Sequence, residues 1–372
     1  MEKYQNLIVG AGISGVVLAR LLAQQGQSVL VIDKRSNIGG NCYDFFDENG
    51  INIHKYGPHI FRTDNEEVWQ FLSRFTTWQN YKHIVRANID GKEVPIPFNF
   101  TSIDILFSAE KAKVFKEKLI LNYGEDRKVP ILELKKSEDK DLRELAAYVY
   151  EKVFYHYTLK QWGFKPEDLG GDVLARVPVY SGYYDGYFTE QYQALPVPSY
   201  TKMFENILNH PNIKVCLNTE FKDIKIKYER LFYSGPIDEF FDYKLGALPY
   251  RSLNFKFDIL PQRQFQDVAV VNYTGKEPPY TRITEFKHFS NQPAEKTIIA
   301  YEYPEAFEPA KNERYYPIPK QENETLYKQY LELAKKEKNI YFIGRLGKYK
   351  YYSMQSAVLA IFELVKKINP VS

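Results

Sequence analysis

The sequence predicts an α/β fold in which a parallel nucleotide-binding layer is interrupted by a helical insertion and an antiparallel β-sheet. Three observations point there. A strand, glycine turn, helix and second strand open the chain over residues 6–33. Apolar residues at helical spacing run through 100–165, and period-two alternation takes over in 250–303. A strand and glycine turn at 340–347 and an amphipathic helix at 354–368 then return to complete the first sheet.

In the opening unit, residues 6–9 are short, apolar and β-branched, as a buried parallel strand requires. Gly10, Gly12 and Gly15, with Ser14 inside the turn, fill the G-x-G-x-x-G pattern of a Rossmann-type domain. Gly10 makes the tight turn, Gly12 admits a pyrophosphate against bare backbone, and Gly15 lets the helix pack close to its strand. A helix over 13–25 aims its free N–H groups at that pyrophosphate. Asp33, at the end of the second strand, accepts a ribose hydroxyl and selects against the 2′-phosphate of NADP. The motif alone fits FAD and NAD equally. A second glycine turn behind the acid, Gly39-Gly40-Asn41 after Lys34 and Arg35, favours FAD lying extended across the fold.

Composition narrows the partners. Among 372 residues, 50 basic and 47 acidic side chains give a net charge of +3, so no polybasic arm for nucleic acid is present. An anionic ligand must therefore be met by local arginines. Cys42 and Cys216 stand far apart, which reads as a reducing compartment without a disulfide framework. No apolar run approaches the ~20 residues of a membrane span, so the expectation is a cytoplasmic protein without an integral membrane segment. No metal-ligand cluster is read. The 31 tyrosines suit stacking on sugars and nucleobases, and they suit a large β-sheet core equally well.

Further along, residues 50–62 alternate like a strand and turn at Gly57-Pro58, which places His59 and Arg62 to face a ligand. A helix follows over 63–75, capped by Asp64 or Thr63, with Glu66 and Glu67 in its first turn. Helices over 102–122 and 141–155 form the inserted helical domain. Residues 177–197 turn to Tyr, Gly and Pro. A helix at 203–208, a strand at 215–217 and a strand at 230–233 before Ser234-Gly235-Pro236 return to the nucleotide layer. The predicted domains are 1–80, 200–250 and 330–372 for the FAD-binding part and 81–160 for the helical part. Residues 161–199 and 251–329 make the antiparallel sheet and substrate part.

Taken together, His54-Lys55-Tyr56-Gly57 with His59-Ile60-Phe61, Tyr157-Thr158-Leu159-Lys160-Gln161-Trp162-Gly163, Arg176-Val177-Pro178-Val179, Gly235-Pro236-Ile237-Asp238, Pro279-Tyr280-Thr281-Arg282 and Gly344-Arg345-Leu346 with Tyr349-Lys350-Tyr351-Tyr352 resemble the bacterial UDP-galactopyranose mutase family. The resemblance runs from residue 5 to the last helix. It implies noncovalent FAD, active when reduced, and a ring contraction of UDP-galactopyranose to the furanose without net redox change, begun by flavin N5 at the anomeric carbon. It further implies that Arg176 and Arg282 stabilise the diphosphate, as planar guanidinium groups do best. Tyr157, Tyr187, Tyr316 and Tyr351 would hydrogen-bond the phosphates, with Tyr155 beside them. Thr158 and Asn272 would contact uridine, and Trp162 would stand near a mobile lid at about 170–187 that carries Arg176. His59 would lie beside the flavin. Gly57, Gly344, Arg345, Tyr351, Tyr352, Ser353 and Met354 would complete the cofactor site. A UDP-hexose substrate, a homodimer and a role in capsule or lipopolysaccharide furanose synthesis belong to the same implication.

Two positions depart from the family pattern. Arg62 stands where a histidine is common, and Ser353 where an aspartate often follows the paired tyrosines. Arginine is longer, permanently charged and rich in donors, so either a 2-acetamido sugar, UDP-N-acetylgalactopyranose, becomes a candidate substrate, or Arg62 simply replaces the histidine as a donor beside the flavin. The rival readings are an amine-oxidase-like flavin oxidoreductase and a noncatalytic nucleotide binder.

Overall fold

The computed structural model describes residues 3–170, 178–290 and 292–369. Its nucleotide layer is a five-stranded sheet in the order Ile213–Cys216, Val29–Ile32, Lys3–Val9, Lys227–Tyr233, Ile340–Phe342, with every neighbour parallel. All four residues of Val29–Ile32 are buried, which explains their uninterrupted apolar sequence. The helices Ile13–Gln24, Tyr200–Leu208 and Met354–Ile368 pack together over this sheet. Strands from the start, middle and end of the chain thus share one layer, as the sequence predicts.

Glycine is enforced sterically at the first turn. Gly10 adopts φ +106°, and a Cβ there would lie 1.9 Å from Ser234 Oγ. One at Gly15 would lie 2.0 Å from the Gly10 carbonyl oxygen. At Gly12, by contrast, the nearest atom is Gly40 Cα at 3.7 Å, an ordinary contact.

The second sheet has seven strands, ordered Tyr316–Pro317, Tyr250–Leu260, Thr297–Ala306, Arg282–Glu285, Val270–Tyr273, Val85–Ile89, Lys92–Ile96. It differs from the predicted sheet in two ways. Val270–Tyr273 pairs parallel with Val85–Ile89, so the sheet is mixed. Residues 85–96 form a hairpin at its edge, whereas the sequence reading placed them in the helical part. The hairpin is explained by the alternating burial of Val85–Ile89 and by Asp90-Gly91, whose φ values of 51° and 84° make the turn. A third, three-stranded sheet joins Tyr192–Val197 to Phe61–Thr63 and Thr77–Asn80, tying residues 192–197 to the first part of the chain.

The insertion comprises the helices Phe100–Leu106, Ala109–Tyr123 and Lys140–Val149, a π-helical turn Tyr150–Tyr155, and the helix His156–Trp162. The single helix predicted over 102–122 is two, because Ser108 breaks it and caps the second by accepting from Lys111 N. Likewise the helix predicted from residue 63 begins at Glu66, and its cap is Asn65, which accepts from Val68 N at 2.9 Å. Thr63 supports that cap by accepting from Asn65 N. Among the described residues no helix is long and apolar enough to cross a membrane.

The glycine contacts predict a contrast. Gly15→Ala should lower stability of the cofactor-free protein by about 1–3 kcal/mol, the cost of overpacking, while Gly12→Ala should stay within about 0.5 kcal/mol. Urea denaturation of both variants checks this, and equal midpoints would refute it.

Candidate active site

A continuous cavity of about 1230 Å³ begins at the carboxyl ends of the parallel strands and extends to the face of the seven-stranded sheet. Every residue assigned to the cofactor lines this cavity, with Gly10, Gly12, Ser14, Gly15, Asp33, Lys34, Gly39, Gly40 and Asn41 forming its first chamber and Gly57, His59, Gly344, Arg345 and Tyr351–Met354 continuing toward the second.

The chamber's chemistry fits a dinucleotide. Helix Ile13–Gln24 starts at Gly12 with no side-chain cap, so its N-terminal N–H groups are left for an anion. Gly12 and Gly40 both line this chamber, and a Cβ on Gly12 would point at Gly40 Cα, 3.7 Å away. Gly39 N donates to Ala11 O at 2.8 Å, which brings the second glycine turn against the first. Asp33 is oriented by backbone N–H groups: Oδ2 accepts from Ala11 and Oδ1 from Arg35, at 2.8 and 2.9 Å. Free lone pairs on both oxygens remain for ribose hydroxyls. Ser353 caps helix Met354–Ile368 by accepting from Ser356 N at 3.1 Å, so serine suffices as the cap at this position.

The second chamber is cationic and aromatic. Arg282 lies directly opposite Glu302 in the ladder. Its Nε and Nη2 both reach Glu302 Oε2, at 2.8 and 2.6 Å, and Glu302 is buried. Burial alone would lower the guanidinium's pKa, but Glu302, with Tyr157 and Tyr316, outweighs it and holds the pKa above its ordinary value. Nη1 remains for a ligand. Arg345 needs no carboxylate: it donates to the carbonyls of Tyr315 and Tyr352 and lies over the rings of Tyr316 and Tyr351, at 5.3 and 4.9 Å. Those two rings stack at 5.5 Å. Burial pushes the phenols of Tyr157 and Tyr316 up, so both keep their protons and can donate. Arg62 pairs with Glu190 and lies 4.1 Å over the ring of Phe188.

Histidines in and behind the wall are neutral. His54 is pulled down to about 4 by burial, and His83 to about 3 by burial and the charge of Arg282. His59 falls to about 3 through enclosure, then through His54, Arg345 and Arg282. Its Nδ1 lies 2.9 Å from Gly57 O. A carbonyl can only accept, so Nδ1 carries the proton and Nε2 is left as an acceptor.

The structure thus brings together Arg282, His59, Arg62, Tyr187, Asn272, Tyr157, Tyr316 and Tyr351. It does not bring Tyr155, Thr158 or Trp162 to the described wall. Successive residues turn about 100° around a helix, so with Tyr157 facing the cavity, Thr158 is buried behind it and Tyr155 packs edge-on against His156. Trp162 packs with Leu169 and Ile318, one layer behind Tyr316. Arg176, and with it residues 171–177 of the expected lid, lie outside the described residues.

Four residues had no assigned role in the sequence reading. Arg35 bonds Asn41 and Glu313, both at 3.1 Å, and covers Tyr56 at 4.4 Å. Glu302 carried one signal, an acid flanked by Tyr301 and Tyr303 in the strand Thr297–Ala306. His83 and Glu190 carried none, since only the fold brings them to the chamber.

The glycine cradle and the cationic chamber joined to it define an enzyme that binds a dinucleotide cofactor beside an anionic ligand. A UDP-galactopyranose mutase profile matches residues 152–351, and a profile of NAD(P)-binding Rossmann-like domains matches 8–75. A probable UDP-galactopyranose mutase of Klebsiella pneumoniae is 41% identical, over 96% of this chain and 93% of its own. A dTDP-fucopyranose mutase of Escherichia coli is 37% identical, over 96% of each. In fold, the crystal structure of a reduced UDP-galactopyranose mutase superposes with a TM-score of 0.74 at 15% identity, over 99% of this chain and 94% of that one. A putrescine oxidase superposes with a TM-score of 0.58 at 12% identity, over 98% and 99%. The chain belongs to the UDP-galactopyranose mutase family, and its cofactor is FAD.

The neutral histidines set an acid response. A histidine whose pKa falls from 6.5 to about 3 on folding stabilises the fold above pH 6.5 and loses that contribution as pH falls toward 3. His83→Leu should therefore flatten stability against pH between about 6 and 4, by roughly 1.4 kcal/mol per pH unit. Urea titrations at several pH values test it, and parallel curves for the two proteins would refute it.

Proposed function

We propose that this protein interconverts UDP-galactopyranose and UDP-galactofuranose, with its FAD in the reduced state. The observation that carries the reading is the second chamber, where Arg282 is fixed by Glu302 next to protonated tyrosines and opens onto the cofactor cradle. When bound and reduced, the flavin supplies the nucleophile for the anomeric carbon.

The chain's own side chains account for the rest. As the anomeric C–O bond breaks, charge builds on the departing diphosphate, and Arg282 already stands oriented to meet it. Arg176 is proposed as the second cation at this point. Tyr157, Tyr187, Tyr316 and Tyr351 would donate to phosphate oxygens, and Asn272 would meet the uracil. His59 presents a neutral acceptor nitrogen at the cradle's edge, suited to accept a hydrogen bond from a sugar hydroxyl and orient it while the ring opens and recloses. Because His59 and His83 are neutral, they add no charge to compete with the arginines.

Arg62 supports a wider sugar range. It stands at the chamber wall with one nitrogen held by Glu190, and its other donors suit the carbonyl of a 2-acetamido group. We include UDP-N-acetylgalactopyranose as a second substrate on that ground. A homodimer in the cytoplasm, supplying furanose sugars for capsule or lipopolysaccharide, is the proposed setting.

Dithionite-reduced protein should convert UDP-galactopyranose to furanose, seen by anomeric proton NMR, while consuming no oxidant. Net oxidation of an amine instead would support the amine-oxidase-like rival. Arg282→Ala and Arg176→Ala should each slow turnover by roughly 10²-fold or more with flavin content retained, and turnover within a few-fold of wild type would sink the assignment. Arg62→His should lower turnover of the 2-acetamido sugar relative to the plain one; an unchanged ratio removes the second substrate.

A further inference from the structure

Lys160 belongs to the Tyr157–Trp162 motif yet takes no part in the chemistry above. Its ammonium lies half-buried and donates to three main-chain carbonyls, those of Tyr273, Pro278 and Tyr280, at 2.7, 2.9 and 3.0 Å. An ammonium has three N–H groups, and here each has a partner. All three acceptors lie at or within the loop that joins strand Val270–Tyr273 to strand Arg282–Glu285. Those strands pair at Asn272 and Arg282, two residues that face the second chamber.

The other end of the lysine is held as firmly. Arg251 donates from Nη2 to Lys160 O and from Nε to Gln161 O, at 3.2 and 2.9 Å, satisfying carbonyls at the helix C-terminus. Tyr157 stands one turn earlier on the same helix, on the same side as Lys160. One side chain therefore links the helix that carries Tyr157 to the loop that sets Asn272 against Arg282.

We propose that Lys160 is a positioning residue for the nucleotide end of the chamber, fixing loop 273–280 so that Asn272 and Arg282 meet the nucleoside diphosphate together. The inference rests on the mutase reading. Glu302 holds the Arg282 guanidinium independently, so loosening the loop weakens ground-state binding more than the bond-breaking step.

Titration offers a readout that a purely structural role would not move. Burial pulls Lys160 down to about 8, opposed only in part by Glu277 of the loop. The neighbouring phenols do not titrate there, since burial pushes Tyr273 up to about 12 and raises Tyr280 as well. Arg251, on strand Tyr250–Leu260, stays charged. Above pH 8 the neutral amine keeps two N–H groups for three carbonyls, and the loop loses a tie.

The test uses full-length, FAD-loaded protein, with UDP affinity by calorimetry and steady-state KM and kcat between pH 6.5 and 9.5, for wild type, Lys160→Met and Lys160→Arg. Lys160→Met should raise the UDP Kd and the KM about tenfold at pH 7, in line with loss of charged hydrogen bonds, with kcat changed less than about threefold. In wild type both constants should rise through pH 8. Lys160→Arg, permanently charged, should restore affinity at pH 7 and abolish the alkaline rise. A UDP Kd for Lys160→Met within twofold of wild type overturns the proposal, as does an alkaline rise that survives in Lys160→Arg. If Lys160→Met does not fold, the Lys160→Arg profile decides alone. If wild type forms no furanose, the mutase reading fails, and the UDP Kd values still decide the role of Lys160.

Discussion

Contact between bare backbone segments at the carboxyl ends of the parallel strands is the constraint on which this structure rests. Gly15 sits under the carbonyl of Gly10, Gly10 under the hydroxyl of Ser234, and Gly39 against Ala11. Gly344, at φ +69°, turns the last strand so that a Cβ there would meet Ser14 and Ser234 at 3.5 Å. These turns follow strands from the two ends and the middle of the chain. The sheet cannot form its cradle until residues 227–233 and 340–342 have returned to it. The helical insertion and the seven-stranded sheet are thus excursions from one layer, and their interleaving follows from where that layer's strands lie in sequence. A cavity between cradle and excursion is the geometrical result.

Electrostatics in the second chamber follow a different rule. A buried carboxylate such as Glu302 is costly unless paired, and removing one partner of such a pair typically costs about 3–5 kcal/mol. The pair itself adds little net stability over apolar residues of the same size. Its consequence is orientation: two guanidinium nitrogens are fixed and the third is left for a ligand. Arg345 reaches the same end through two carbonyls and two ring faces, without a counter-charge. Burial, helped by the nearby cations, keeps His59 and His83 neutral, so these histidines add no charge that titrates near neutrality. An anionic ligand then meets a field that is constant across the working pH range.

The legible and illegible parts of the sequence divide along the same line. Gly10, Gly12, Gly15 and Asp33 could be read because a backbone cradle demands particular residue types at fixed spacing, and the structure places all four on the cavity wall. The parallel order of the nucleotide layer followed from them. Residues 85–96 fall inside the 81–160 span assigned to the helical part, although no helix is read there; the alternation of Val85, Ala87 and Ile89 is too short to stand out beside the helices that follow. Ser108 and Asn65 show why helix limits were misplaced by a few residues: several polar residues near each start could cap, and only local geometry selects one. Tyr155, Thr158 and Trp162 were grouped with Tyr157 by motif, although a helix can present only one face to the cavity. Glu190 and His83 reach the chamber wall, and Glu302 reaches Arg282 behind it, through the packing of distant segments, which no local pattern encodes.

The two chambers therefore differ in how readily their specificity can change. In the first, the wall is made of main-chain N–H groups and glycines, and at Gly10 and Gly15 a side chain would collide with its neighbours, so a substitution at either damages turn and cradle together. In the second, recognition lies in side chains on strands whose register is set elsewhere. Arg62 stands on Phe61–Thr63, opposite Gln193 in the small sheet, and its partner Glu190 lies just before the same facing strand. The sheet's register is fixed by its backbone ladder and by the stacked rings of Phe61, Trp69 and Trp78. Residue 62 thus lies where a substitution changes the chamber wall and the partner offered to Glu190, while the backbone ladder that sets the register stays in place. The first chamber is thus constrained by its own backbone, whereas the wall of the second is constrained only by the register of the strands that carry its side chains.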